Sequence, residues 1–245
     1  MLRRQPRTGQ AVKRRLVLFD VDGTLLLSRG AGRRAIVVAM KEWLDSTDLT
    51  RVGEVRFDGK TDPQIVSELL QAAGVADPDH PARIDRVLTR YLLQLEIELA
   101  RPDHVTQVLP GIPDLLSRIE AAADGILGLL TGNIATGARL KLRSAALDPD
   151  RFLLGAYGSD HPDRGALPPI AVERARAHFG REPRGNEVII IGDTPADMTC
   201  GRGIGARAIG VATGAYSTAE LTAAGAAAAF SDLSDTTAVM AAIWN

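Results

Sequence analysis

Cysteine is almost absent: Cys200 is the single one in 245 residues. No intrachain disulfide can form, and the chain suits a reducing compartment, by default the cytoplasm. Charge of one sign is equally lacking, since 29 Lys and Arg face 30 Asp and Glu for a formal net charge of -1. That balance sets up no global field for nucleic acid or anionic lipid, which leaves a small soluble substrate as the expected partner. No stretch approaches the roughly 18 to 20 uninterrupted apolar residues of a membrane span. The segment Met1 to Arg15 carries Arg3, Arg4, Arg7, Lys13, Arg14 and Arg15 without the apolar run of a signal peptide, and residues 1–14 read as a disordered basic lead-in. What remains is ordinary for a globular protein: 45% hydrophobic and 24% charged residues, at a length that holds one large core or two modest ones.

Short apolar, partly β-branched runs recur and end abruptly in polar residues. Leu16 to Phe19 runs into Asp20, Asp22 and Gly23; Ile126 to Leu130 into Thr131-Gly132-Asn133; Val188 to Ile191 into Gly192-Asp193; and, more weakly, Ala208 to Val211 into Thr213-Gly214. Helical patterns lie between the later runs, at Leu115, Leu116 and Ile119, at Leu140, Leu142 and Ala145, and at Ile170, Ala171, Ala175 and Phe179. Buried strands alternating with amphipathic helices predict an α/β protein with a doubly wound parallel sheet.

From Gly30 to Val105 three helical patterns follow one another without a strand. Ile36, Val37, Met40, Trp43 and Leu44 form one face. A second helix is expected to start with Asp62 as N-cap and Pro63 at its first position, to carry Ile65, Val66, Leu69 and Leu70, and to stop at Gly74. Ile84, Val87, Leu88, Tyr91, Leu92, Leu95 and Leu99 describe a third. The expected organisation is a core of residues 15–29 and 106–245 interrupted by a helical segment, residues 30–105. No internal repeat is evident, and Ala223 to Ala229 is only locally biased.

Ligands of parallel α/β sheets collect beyond the carboxyl ends of the strands, and three strand ends here carry chemistry: Asp20, Asp22 and Thr24; Thr131; and Asp193 with Asp197. Carboxylates so crowded repel one another unless a cation holds them, and an all-oxygen set suits a hard ion such as Mg²⁺. A carboxylate can attack phosphorus as a nucleophile, while hydroxyls and a glycine turn hold a phosphoryl group. His80, His104, His161 and His178 show no ligand spacing.

Asp20-Val21-Asp22-Gly23-Thr24, Leu130-Thr131-Gly132-Asn133 and Gly192-Asp193-Thr194-Pro195-Ala196-Asp197 resemble the first, second and fourth motifs of the haloacid dehalogenase (HAD) superfamily on its phosphatase side. The resemblance covers nearly all of Leu16 to Asp232 and implies a Rossmann-like core with an inserted α-helical cap. It implies Asp20 as nucleophile and metal ligand, and Asp22 as acid and then base with its backbone carbonyl on the metal. Thr131, Gly132 and Asn133, with Gly23 and Thr24, would surround the phosphate, and Asp193 and Asp197 would hold or support Mg²⁺. Phe57-Asp58-Gly59-Lys60-Thr61-Asp62 resembles the specificity loop of the cap, which puts Gly59 and Lys60 at the substrate's far end, with Arg56 and Arg33 the next candidates.

One motif departs from the family's pattern. Relatives carry a lysine and proline in the third motif where this chain reads Asp163-Arg164-Gly165-Ala166-Leu167-Pro168, and Arg164 is taken as the replacement, although a planar fork is not an ammonium. Among relatives the plan is most like phosphoglycolate phosphatase, so the expected substrate is 2-phosphoglycolate or a sugar-phosphate-like phosphomonoester. A β-phosphoglucomutase-like phosphomutase is the alternative, and a non-catalytic phosphate-binding protein a more distant one. The dehalogenases of the superfamily lack an acid at the position of Asp22. A monomer or homodimer is expected.

Overall fold

The computed structural model describes residues 14–44, 53–122 and 124–245; nearly all of the basic lead-in lies outside them. Strand β1 (Arg15–Phe19) is buried along its whole length. Val17 and Phe19 face Ile112, Leu115 and Leu116 on one side of the sheet. Leu16 and Leu18 face Leu167, Ala171 and Ala175 on the other. Side chains alternate across a strand, so a strand covered on both faces must be apolar throughout.

Beside β1 lie β4 (Gly125–Thr131) and β6 (Val188–Gly192), both parallel to it. The full sheet has six parallel strands in the order β5-β4-β1-β6-β7-β8, where β5 is Leu154–Tyr157, β7 is Arg207–Val211 and β8 is Ala228–Phe230. Helices α4 (Ile112–Ala121) and α9 (Thr236–Trp244) contribute to one face and α6 (Leu167–Phe179) to the other. The fold is the expected doubly wound α/β architecture. Strands β5 and β8 were not expected from the sequence. β5 has four residues including a glycine, and β8 is a half-buried edge of three residues inside the alanine-rich stretch.

Helices α1 (Ala31–Trp43), α2 (Asp62–Ala72) and α3 (Pro81–Leu99) pack into an apolar cluster of their own around Ile36, Met40, Leu69, Leu70, Tyr91 and Leu95. The side chain of Trp43 lies outside the described residues. A two-stranded antiparallel ribbon, β2 (Leu26–Leu27) with β3 (Gln107–Val108), ties together the chain entering and leaving this helical unit. The N-cap of α2 is Thr61 rather than Asp62: the Thr61 hydroxyl accepts from the Gln64 amide at 3.2 Å. Asp62 instead joins the helical unit to the core.

Its backbone N–H donates to the Gly132 carbonyl at 2.7 Å, and its carboxylate accepts from the Ile134 amide at 2.9 Å. The Thr61 hydroxyl also donates to the Pro162 carbonyl at 2.6 Å. Gly132 permits this docking, because a Cβ there would lie 2.0 Å from the Lys60 carbonyl oxygen.

Candidate active site

Because β1 is flanked by β4 on one side and β6 on the other, the residues following all three strands meet in one crevice, the usual ligand position in an open α/β sheet. Asp20 follows β1, Thr131 ends β4, and Asp193 follows β6. Asp197 enters from the first turn of α7 (Pro195–Cys200), where it completes a reciprocal cap with Thr194.

Carboxylate oxygens of Asp20, Asp193 and Asp197 lie within 4.8 Å of one another, and all three residues are buried. The guanidinium of Arg164 enters this cluster, 3.3 Å from Asp20 Oδ1 and ion-paired with Asp197 Oδ1. One guanidinium does not balance three carboxylates. Burial and the charges of Asp197 and Asp20 push the Asp193 carboxyl up to about 9. Burial likewise raises Asp20 to about 6, against the opposing pull of Arg164. Such a surplus of buried negative charge, on hard oxygen donors, fits a divalent cation.

The close packing around Asp193 is made by glycines. A Cβ at Gly23, whose φ is +80°, would lie 2.2 Å from Asp193 Oδ2, and one at Gly214 would lie 1.9 Å from it. Thr24 Oγ1 is 3.4 Å from Asp193 Oδ1, and the residue is fully buried. Thr24 was expected to hold substrate; it orients Asp193 and lies outside the cavity lining, because the turn at Gly23 directs it into the core. Both Asp197 oxygens are engaged, one by Arg164 and the other by the Thr194 amide at 3.0 Å and hydroxyl at 2.7 Å.

Asp22 stands apart from that cluster on a second set of partners. Lys141 Nζ donates to Asp22 Oδ2 at 2.6 Å and to Asn133 Oδ1 at 2.6 Å. Asn133 Nδ2 donates to Asp22 Oδ2 at 2.9 Å and to the Thr131 hydroxyl at 2.8 Å. The Ser28 hydroxyl donates to Asp22 Oδ1 at 2.9 Å. Burial acts to raise the Asp22 carboxyl, but the Lys141 charge and these hydrogen bonds outweigh it and hold the group below the ordinary carboxylate value. Two aspartates two residues apart thus have opposite environments: burial disfavours the charged form of Asp20, which a cation would offset, while the polar partners of Asp22 favour its carboxylate.

A cavity of about 670 Å³ opens above these groups, lined by Asp20, Asp22, Gly23, Thr131, Gly132, Asn133, Arg164 and Asp193 on its floor. Its roof comes from the helical unit and includes Arg33, Arg56, Gly59, Lys60 and Tyr91. Lys60 was expected to offer a free cation to the substrate. Its ammonium is instead ion-paired with Glu68, eight residues further on in α2. Arg33 is better placed: it stacks over Phe57 with 4.5 Å from the guanidinium carbon to the ring centroid, and donates at 3.1 Å to the Val55 and Gly53 carbonyls. Among the described residues it has no carboxylate partner.

The structure therefore brings together Asp20, Asp22, Gly23, Thr131, Gly132, Asn133, Arg164, Asp193 and Asp197, and places Gly59 and Lys60 in the facing wall. Sequence reasoning missed Ser28, Tyr91 and above all Lys141. The last carried a signal: in α5 (Ala135–Ser144), Lys141 is the one charged residue on the stripe formed with Ala138, Leu142 and Ala145, all buried. A lone cation on a buried helical face needs a partner.

The sequence model of the haloacid dehalogenase-like hydrolases matches residues 14–205. A comparison with curated proteins finds no match. Among solved structures, a hydrolase from Pseudomonas syringae shares 22% identity at a TM-score of 0.68, over 94% of this chain and 99% of that one. The phosphate complex of CbbY from Rhodobacter sphaeroides shares 19% at a TM-score of 0.67, over 90% and 95%. A predicted phosphoglycolate phosphatase from Haemophilus somnus 129pt shares 17% at a TM-score of 0.65, over 93% and 98%. At such identities the likeness to these structures shows the fold.

Proposed function

This chain belongs to the haloacid dehalogenase-like hydrolases, and from that membership we propose that it is a Mg²⁺-dependent phosphatase of small phosphomonoesters working through an aspartyl phosphate on Asp20. The observation that carries the reading is the second carboxylate, Asp22, in the same cavity as Asp20 but held by a separate set of partners. A halide departs without a proton. An alkoxide does not, and a phosphatase needs the additional acid.

In the first step an Asp20 carboxylate oxygen bonds to phosphorus as the ester P–O bond breaks. The electron pair goes to the leaving oxygen, which takes a proton from Asp22; the negative charge of the bound phosphoester beside that carboxyl favours its protonated form against the pull of Lys141. In the second, the Asp22 carboxylate removes a proton from water as that water's oxygen bonds to phosphorus. The bond from phosphorus to Asp20 then breaks, which regenerates the carboxylate and releases inorganic phosphate. The Thr131 hydroxyl, the amides of Gly132 and Asn133, and Arg164 surround the position of the phosphoryl oxygens, where pre-set donors stabilise developing charge. Mg²⁺ held by Asp20 and Asp193, with Asp197 supporting from behind Arg164, would supply the remaining positive charge.

The helical unit acts as the cap over this site. Its guanidiniums, with Arg33 as the principal contact in place of Lys60, suit a substrate with a second anionic group, such as 2-phosphoglycolate or a sugar bisphosphate. The cavity is of the size of ordinary small-metabolite sites. Phosphate release from a panel of phosphorylated metabolites, with and without Mg²⁺, tests the assignment. Metal-dependent turnover that favours substrates with a second anion supports it, and no phosphate release from any member rejects it.

A further inference from the structure

Lys141 is the buried charge that the reaction described above leaves without a task. Its side chain is 6% exposed, while that of its partner Asp22 is 37% exposed. Both residues line the cavity, but the ammonium is buried in its wall beside Asp22, whose more exposed carboxylate presents itself to the substrate side. Its two assigned hydrogen bonds are 2.6 Å long and go to Asp22 Oδ2 and Asn133 Oδ1. Asn133 in turn donates to that same Asp22 oxygen at 2.9 Å. Lys141, Asn133 and Asp22 thus close a three-membered ring of polar contacts, and Ser28 holds the other Asp22 oxygen at 2.9 Å. A carboxylate fixed at both oxygens has one orientation.

The walls around the ammonium come from the helical unit. A Cβ on Gly32, in the first turn of α1, would lie 3.3 Å from Lys141 Nζ and 3.6 Å from the Tyr91 hydroxyl of α3. Lys141 is buried where the cap meets the core. Arg164 cannot substitute for it, because that guanidinium is committed to Asp20 and Asp197. Each of the two reacting carboxylates therefore has its own cation: a fork for the nucleophile and an ammonium for its neighbour.

We propose that Lys141 is a positioning residue, which directly and through Asn133 fixes the Asp22 carboxylate in the orientation from which it exchanges a proton with the leaving oxygen. The proposal rests on the phosphatase reading. It differs from a purely structural role in one respect: loss of Lys141 must hurt most where proton transfer matters most. Phenyl phosphate and p-nitrophenyl phosphate have nearly the same shape, but phenolate is the more basic leaving group and depends more on the acid.

The experiment measures kcat and KM for both esters in wild type, Lys141→Met, Asp22→Asn and the double variant. A misplaced acid forfeits on the order of 10²-fold, so Lys141→Met is expected to lose about that much kcat on phenyl phosphate. On p-nitrophenyl phosphate the loss should be roughly tenfold or less, with KM little changed in either case. In the Asp22→Asn background the same substitution should cost roughly twofold or less, since residues acting as a unit are not additive.

Equal losses on the two esters, or full additivity with Asp22→Asn, would overturn the proposal while leaving the phosphatase reading intact. If wild type hydrolyses neither these esters nor any member of the metabolite panel, the phosphatase reading itself fails and this proposal falls with it. Should Lys141→Met not fold, Lys141→Gln retains one donor toward Asp22 and is judged by the same ratio and the same cycle.

Discussion

Arg164→Met removes the one guanidinium from a cluster of three buried carboxylates, and its cost can be estimated. At the 3.3 Å separation of Arg164 from Asp20 Oδ1, two unit charges attract by about 5 kcal/mol at an effective dielectric of 20. Desolvation of the guanidinium offsets part of this, and breaking a buried pair typically costs about 3–5 kcal/mol because the partner is left uncompensated. Arg164 Nε is buried without a hydrogen-bond partner, which further lowers what the native arginine contributes, so the expected destabilisation is about 3 kcal/mol at neutral pH.

The pH dependence follows from the same charges. Without Arg164 the Asp20 carboxyl takes up a proton more readily in the folded state, so the loss shrinks as pH falls and is greatest above the range where Asp20 titrates. Urea unfolding in EDTA at several pH values measures it. Arg164→Lys should retain most of the stability because the charge remains, and Mg²⁺ should recover part of the loss in Arg164→Met. An Arg164→Met protein as stable as wild type in EDTA at neutral pH would refute the reasoning, since it would mean that these carboxylates do not need the guanidinium.

Asp62 is buried and its carboxyl is raised to about 6, mainly by burial, against the pull of Lys141 and the Ile134 amide. Its folded value lies above the ordinary 3.8, so it destabilises the fold as pH rises from about 4 to about 6. Asp62→Asn should therefore add up to about 3 kcal/mol at pH 7 and flatten that part of the stability profile; unchanged urea midpoints at pH 4 and pH 7 would count against it. Arg33→Met should reduce kcat/KM on substrates with a second anion by about tenfold or more while sparing p-nitrophenyl phosphate, and Lys60→Ala should do so much less, because remote contacts position the reacting group. Gly132→Ala drives a Cβ to 2.0 Å from the Lys60 carbonyl, so it should weaken cap docking and impair turnover of the natural substrate more than that of the aryl ester. Exhaustive chelation should abolish turnover and Mg²⁺ restore it, which a phosphate-release assay reads directly.

Fold and site were legible in the sequence where burial and chemistry leave local marks. Leu16 to Phe19 and Val188 to Ile191 are covered on both faces, so their composition alone identifies them as inner strands. Ala228–Phe230 is half-buried at the sheet edge and carries no such mark. The Asp20 and Asp193 cluster was readable because strand ends of a parallel sheet converge by topology. Contacts between helical unit and core were not, since they depend on tertiary docking: Asp62 looked like a cap residue and became a bridge to Ile134. Lys60 looked free and is paired with Glu68. Lys141 belongs to no motif, and only its companions on the buried stripe mark it.

The central claim is that Asp20 becomes phosphorylated during turnover. It is tested most directly by mixing enzyme, Mg²⁺ and p-nitrophenyl phosphate, quenching in acid within one turnover, and locating any added phosphoryl group by peptide mass spectrometry. The account predicts one phosphoryl group on the peptide that contains Asp20, absent from Asp20→Asn, whose turnover should fall by roughly a thousandfold or more. Near-normal hydrolysis by Asp20→Asn, or a phosphoryl group carried on another residue, would contradict it.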